Sequence, residues 1–229
     1  MRVHWVYAFI DRPAERFESA ATFWTTVLKW PLSPRRGEHD EFATLVPPEG
    51  DAYVKLQAVE EGGGMHLDLS VADVRALADR AAGLGARVVA DHDRYVVLAS
   101  PGGQLFCAVP WHGEAHRPPP SRSVLGATSR IDQIVIEVDP ARADDELAFW
   151  AALTPETRDL PVRLQVQPTE REQPTSGHLD LACSDRTLVR AWHERNGATV
   201  VAERPQWTVM RDPAGGVYCL TSRDPSGDV

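Results

Sequence analysis

Two histidines of this 229-residue chain stand in identical tetrapeptides, His66-Leu-Asp-Leu69 and His178-Leu-Asp-Leu181. An imidazole in a strand can act as an acid, a base or a ligand hydrogen-bonder, or it can be a buried group satisfied by local backbone. Two cysteines, Cys107 and Cys219, repeat at the same spacing. Each is either a reactive thiol or a small hydrophobe in a packed strand. Lys55 and Arg163 lie in the matching strings Val54-Lys-Leu-Gln57 and Val162-Arg-Leu-Gln165. With Gln57 and Gln165 they can hold an anionic group, or they can form a solvated strand face. Trp5, Tyr7 and Phe9 share one parity on an apolar run, and Tyr95 and Trp207 occupy equivalent positions. Such rings can stack on a planar organic ligand or fill a core.

These residues recur because the chain repeats itself. A shift of 112 residues places His66–Val109 on His178–Thr221 without a gap, with 14 identities in 44 positions, among them Gly85, Pro101, Gly103 and Cys107. Upstream, Phe23-Trp24 pairs with Phe149-Trp150. Between Trp24 and His66 lie 41 residues, against 27 between Trp150 and His178. The difference, about one strand and its turn, predicts that the second copy lacks an edge strand. Pro110 to Ala127, with Pro118-Pro-Pro120, separates the copies and reads as a semi-rigid connection. The expected division is 1–112, a linker 113–127, and a shortened copy over 128–223.

The positioning elements follow from periodicity and caps. Val3 to Ile10 reads as a strand. Phe17, Ala20, Ala21, Trp24, Val27 and Leu28 recur at helical spacing, so both paired tryptophans belong to a buried helix face. Asp139-Pro140 reads as a helix start, Asp73 and Asp185 as caps of a second helix, and Gly85 and Gly197 as its left-handed end. Three short strands then follow in each copy, near 86–90, 95–99 and 104–109, and near 198–202, 207–211 and 217–221. The order βαβββ is thus expected twice in each copy.

Composition narrows the function. Acidic residues outnumber basic ones 33 to 24, a net charge of −9, which excludes nucleic acid and anionic membranes as partners. The sequence has no run of about 18 apolar residues and no secretory leader. Three cysteines are too few for a disulfide framework, so a reduced, cytoplasmic protein is expected. Phosphate-loop, nucleophile-elbow, Cys-x-x-Cys and dinucleotide motifs are missing from the sequence, and Gly62-Gly-Gly64 precedes a strand, as a flexible turn.

Paired βαβββ units, a histidine opening the middle strand and an Asp-Pro-x-Gly turn before the last strand resemble the vicinal oxygen chelate superfamily. The strings Ser176-Gly-His-Leu-Asp-Leu181, Asn196-Gly-Ala198 and Asp212-Pro-Ala-Gly-Gly-Val-Tyr-Cys219, with Ser100-Pro-Gly-Gly103 in the first copy, look most like its glyoxalase-like branch. The resemblance implies an α+β fold: tandem glyoxalase-like domains whose curved, mostly antiparallel sheets form cups. It also implies metal ligands on the first strand (His), the middle strand (His or Gln) and the last strand (Glu). Carried over, these positions are Trp5, His66 and Cys107, then Gln133, His178 and Cys219. His4 sits one residue early, facing the other way. The usual triad is therefore missing and no cofactor is expected, although Gln133, His178 and Cys219 still leave room for a divalent metal. If those positions keep their mutual distances, each cysteine faces a histidine that can lower its pKa. Asp68 and Asp180 are expected to anchor a neighbouring turn or arginine.

The function expected on this basis is a cup that binds a small organic molecule, aromatic or hydrophobic, as bleomycin-resistance-like relatives do. The alternative is a metal-independent lyase, isomerase or cyclase with His66 or His178 as acid or base. A metal-dependent glyoxalase or extradiol dioxygenase is the third reading. An exposed edge on the shortened copy admits a homodimer.

Overall fold

The apolar run after Val3 forms an 11-residue strand buried on both faces, which demands a layer on each side of it. A computed structural model, describing residues 2–155, 160–170 and 172–227, provides those layers. In the first half, β1 (Val3–Pro13), α1 (Phe17–Leu28), β2 (Phe42–Leu45) and β3 (Val54–Val59) are followed by β4 (Gly64–Val71), α2 (Val74–Gly83), β5 (Arg87–Asp91), β6 (Val96–Ala99) and β7 (Leu105–Pro110). The sheet order is β2-β3-β1-β4-β7-β6-β5. Only the β1–β3 and β4–β7 pairs are parallel.

The second half repeats this arrangement. It runs β8 (Ser121–Arg122), β9 (Thr128–Val138), α3 (Ala143–Leu153), β10 (Arg163–Pro168), β11 (Ser176–Cys183), α4 (Arg186–Arg195), β12 (Thr199–Glu203), β13 (Trp207–Arg211) and β14 (Val217–Thr221). Its order is β10-β9-β11-β14-β13-β12, with the short β8 beside β9. Among the described residues nothing pairs outside β10, where the first sheet carries β2. The fold is the expected α+β arrangement of two curled sheets.

Local chemistry sets the boundaries. The Asp73 and Asp185 carboxylates accept from the backbone N–H of Ala76 and Leu188, capping α2 and α4. Gly85 and Gly197 leave those helices at φ +104° and +93°, where a side chain would be strained. Asp139 accepts from Ala141 N–H across the turn that leads into α3.

The halves share one core because each first helix crosses to the other half. Trp24 on α1 packs edge-on against Tyr218 of β14, with ring centroids 5.1 Å apart. Trp150 on α3 packs likewise on Phe106 of β7, at 5.2 Å. Each buried indole removes roughly 200 Å² from water, worth on the order of 5 kcal/mol before entropy is counted. A carboxylate meets each indole N–H. Asp212, in the turn before β14, accepts from Trp24 at 3.2 Å and from Arg12 at 2.8 Å. Glu146, one turn before Trp150 on α3, accepts from Trp150 at 2.8 Å, from the Ser100 hydroxyl at 2.5 Å and from Gly102 N–H at 2.6 Å.

The connection between halves is strapped down. The Asp51 carboxylate accepts from the N–H groups of Ala115 and His116, both at 2.8 Å.

Candidate functional site

Strand alternation turns His66 and Asp68 to one face of β4, and the parallel pairing of β4 with β7 sets Cys107 directly beside Asp68. The second half does the same with His178 and Asp180 on β11 and Cys219 on β14. Each set brings one nitrogen, one oxygen and one sulfur within 4.8 Å of one another. Cys107 and Cys219 therefore do face their histidines, but an aspartate completes each group. Asp180 meets an arginine as expected, since Arg223 donates to its Oδ2 at 3.3 Å. The cluster it forms with His178 and Cys219 was not expected. The signal lay in His-x-Asp, whose two-residue spacing puts both side chains on one face.

The neighbouring strands differ between halves. In the first, Phe9 pairs with His66 and stacks on it, with centroids 4.2 Å apart, and Tyr7 pairs with Asp68. Lys55, paired with Phe9, extends its ammonium over the Tyr7 ring at 3.5 Å and reaches Asp68 at 3.9 Å. Glu114, from the connection, accepts from the Tyr7 hydroxyl at 2.5 Å. Tyr7, Phe9, Asp68 and Cys107 are all at least nine-tenths buried. Tyr7, Phe9 and Lys55 thus pack directly over the first cluster, at the positions where the sequence suggested an aromatic lining.

Trp5 is not part of this cluster. The regular pairing of β1 with β4 sets it opposite Ser70, two residues from Tyr7, where it is fully buried and donates to Ala52 C=O at 3.1 Å. The residue that matches Gln133 is Tyr7, since Gln133 pairs with Asp180 as Tyr7 pairs with Asp68. The Lys55–Arg163 match is also corrected. Phe9 and Val135 are equivalent, and their partners are Lys55 and Gln165. Gln165, not Arg163, occupies the place of Lys55. Arg163 instead bonds Asp132 at 2.9 Å, and Gln57 pairs with Asp11 at the rim. Tyr95 is exposed and stacks on His92.

In the second half the cup is open. A cavity of about 1060 Å³ is lined by the buried Gln133, Asp180 and Cys219, by the half-buried His178, and by the exposed Gln165 and Trp207. The Gln133 amide donates to Gln165 at 2.8 Å and to Asp180 Oδ2 at 3.3 Å. The first half closes one wall with Arg12, Arg16, Trp24 and the Gly62–Gly64 turn.

Electrostatics argue against reactive thiols. Burial, reinforced by the adjacent Asp68 carboxylate, pushes the Cys107 thiol well above its ordinary range. Burial and Asp180 do the same to Cys219. Burial and the neighbouring carboxylate both oppose a thiolate, so the electrostatics favour the small-hydrophobe reading of these cysteines over the reactive one. Burial also lowers the Lys55 pKa, against the pull of Asp68. His66 is the reverse case. Burial depresses it, but the Asp11 carboxylate, 2.7 Å from Nδ1, outweighs this and raises its pKa.

The inherited metal positions do not fit an ion. Trp5 and its neighbours in the first half offer no third donor, and the Gln133 amide nitrogen of the second half points at Asp180. The sets His66–Asp68–Cys107 and His178–Asp180–Cys219 have donors suited to a divalent ion. In the first, however, the Lys55 ammonium stands at the carboxylate.

Comparison with known proteins agrees with the fold. The sequence matches the glyoxalase-like domain profile over residues 7–109 and 134–221. No curated protein sequence matches the chain. Among solved structures, the Mn(II)-bound glyoxalase from Novosphingobium aromaticivorans superposes with a TM-score of 0.70 at 16% identity, over 100% of this chain and 84% of that one. The 2,2',3-trihydroxybiphenyl 1,2-dioxygenase of Sphingomonas wittichii strain RW1 gives 0.62 at 16% identity, over 94% and 88%. A 4-hydroxymandelate synthase variant from Streptomyces coelicolor gives 0.63 at 14%, over 99% and 93%. At such identities the likeness is one of fold.

Proposed function

Given that the chain belongs to the glyoxalase-like domain family, we propose that it binds a small organic molecule in the cup of its second half. The observation that carries this reading is the 1060 Å³ cavity with polar groups among its lining. That is the size and layout of a ligand site. The amides of Gln133 and Gln165 and the imidazole of His178 would orient polar groups of the ligand. Trp207, 40% exposed, offers a face for an aromatic or hydrophobic portion. The first half serves as scaffold and wall.

The test is quenching of tryptophan fluorescence across a panel of aromatic metabolites and antibiotics, paired with native mass spectrometry of freshly purified protein. Saturable quenching that Trp207→Phe removes supports the reading. Silence across the panel together with no co-purified organic mass would reject it.

A second reading is catalytic, with His178 as acid or base for a lyase, isomerase or cyclase. It is favoured by the position of this imidazole in the cavity lining, which His66, stacked under Phe9, does not share. Replacing His178 by alanine would then abolish turnover and leave ligand binding in place.

A further inference from the structure

Gln133 is 5% exposed, and the atoms it meets fix which way its amide faces. Its nitrogen donates to Asp180 Oδ2 at 3.3 Å and to Gln165 Oε1 at 2.8 Å. A carboxylate that also receives Arg223 can only accept, so the nitrogen must face it and the Gln133 oxygen must face elsewhere. The constraint passes to the next residue. Gln165 gives its oxygen to Gln133, which leaves its own nitrogen as a donor. Among the described residues neither Gln133 Oε1 nor Gln165 Nε2 has a hydrogen-bond partner, and both residues line the cavity. One buried acid thereby sets an acceptor and a donor side by side on β9 and β10.

The rest of the lining has the same neutral, polar character. Gln167, Gln173 and Gln206 add three amides whose side chains make no hydrogen bond among the described residues. The buried charges at this cavity are matched within the chain, Asp180 by Arg223 at 3.3 Å and Arg12 by Asp212 at 2.8 Å. Glu15, Arg16 and Glu137 are exposed or half-buried, where water screens them. An ionic ligand would thus lose its hydration without gaining an unmatched buried partner. Trp24 and Tyr218 are buried in the wall, so Trp207 is the one open aromatic face among the described lining residues. A flat aromatic ligand would meet one ring and more amides than it can satisfy.

We propose that the ligand is a neutral, polyhydroxylated molecule of the glycoside class; this rests on the reading of the second cup as a binding site. A hydroxyl both donates and accepts. Neighbouring hydroxyls of one sugar ring therefore suit Gln133 Oε1 and Gln165 Nε2 together, and others meet Gln167, Gln173 and Gln206. The C–H face of the ring lies on the Trp207 indole. In the first half the two inner amides are replaced by Tyr7, whose hydroxyl is taken by Glu114, and by Lys55.

The test titrates the full-length protein by calorimetry with phenyl glycosides of glucose, galactose and mannose, in both anomers, against phenol and benzoate. The expected result is one site per chain at which a phenyl glycoside binds at least tenfold more tightly than phenol, with no gain for benzoate. Gln165→Glu keeps the oxygen that Gln133 needs but removes the donor, and should weaken glycoside binding about tenfold while phenol binding stays the same. Gln133→Leu should do likewise, and circular dichroism of each variant separates loss of the site from loss of the fold. Phenol or benzoate binding as tightly as every glycoside, or a margin that survives in folded Gln165→Glu, would overturn the glycoside class and leave the cup a binding site. Silence toward every probe would also overturn it, and a search for co-purified organic mass then decides the binding function separately.

Discussion

The two cups share one framework but have opposite interiors. In the first, Tyr7, Phe9 and Lys55 lie over His66, Asp68 and Cys107, and the cation of Lys55 offsets the buried carboxylate. In the second, Gln133, Val135 and Gln165 take those three places and leave a cavity above His178, Asp180 and Cys219. Two aromatic rings and one ammonium therefore lie over the first cluster, where the second half has two amides, a valine and a large cavity.

The largest test of this contrast is to empty the first cup. Phe9→Ala removes a ring packed on His66 and Phe42, and should cost about 3–5 kcal/mol in a denaturant melt. Val135→Ala, at the edge of an existing cavity, should cost less than half as much; equal losses would mean that the two cups are equally packed. Trp207→Ala should weaken ligand binding about tenfold, whereas Tyr95→Ala should leave it unchanged.

A smaller effect concerns pH. The folded-state pKa of His66 is raised, so its partnership with Asp11 stabilises fully below the ordinary histidine value and is lost as pH rises through the folded value. His193 has the opposite sign. Burial beside Tyr218 holds it down at about 3, so its contribution declines as pH falls below about 6.5. Melting of His66→Gln and His193→Gln against pH should remove the alkaline and acid slopes respectively. The smallest effect is thiol labelling at neutral pH, which should be slower than for free cysteine at both Cys107 and Cys219.

Much of the framework was legible in the sequence. The caps at Asp73 and Asp185, the left-handed glycines and the helix face around Trp24 follow from local rules, and the tandem repeat carries them into both halves. The sites were less legible. Val-x-Leu-Gln matches itself across copies with a register two residues off, and a strand of period two conceals such a slip because every side chain keeps its face. The same ambiguity hid the equivalence of Tyr7 with Gln133, since Trp5 and Tyr7 stand two residues apart on one strand and share a face. Whether a cup is open depends on side chains from several strands and on Glu114 from the connection, which no local pattern encodes.

The carboxylates at the crossing helices have a consequence for how the halves can combine. The first half brings Ala20 on its helix and Ser100 in its turn; the second brings Glu146 and Asp212 at the matching places. Joined to each other, they give every junction a single acid for a single indole. Two first halves would leave both tryptophans without an acceptor, and two second halves would press paired acids together away from water. The halves are thus coded to mate as unlike partners, and a protein made from either one in duplicate should not assemble.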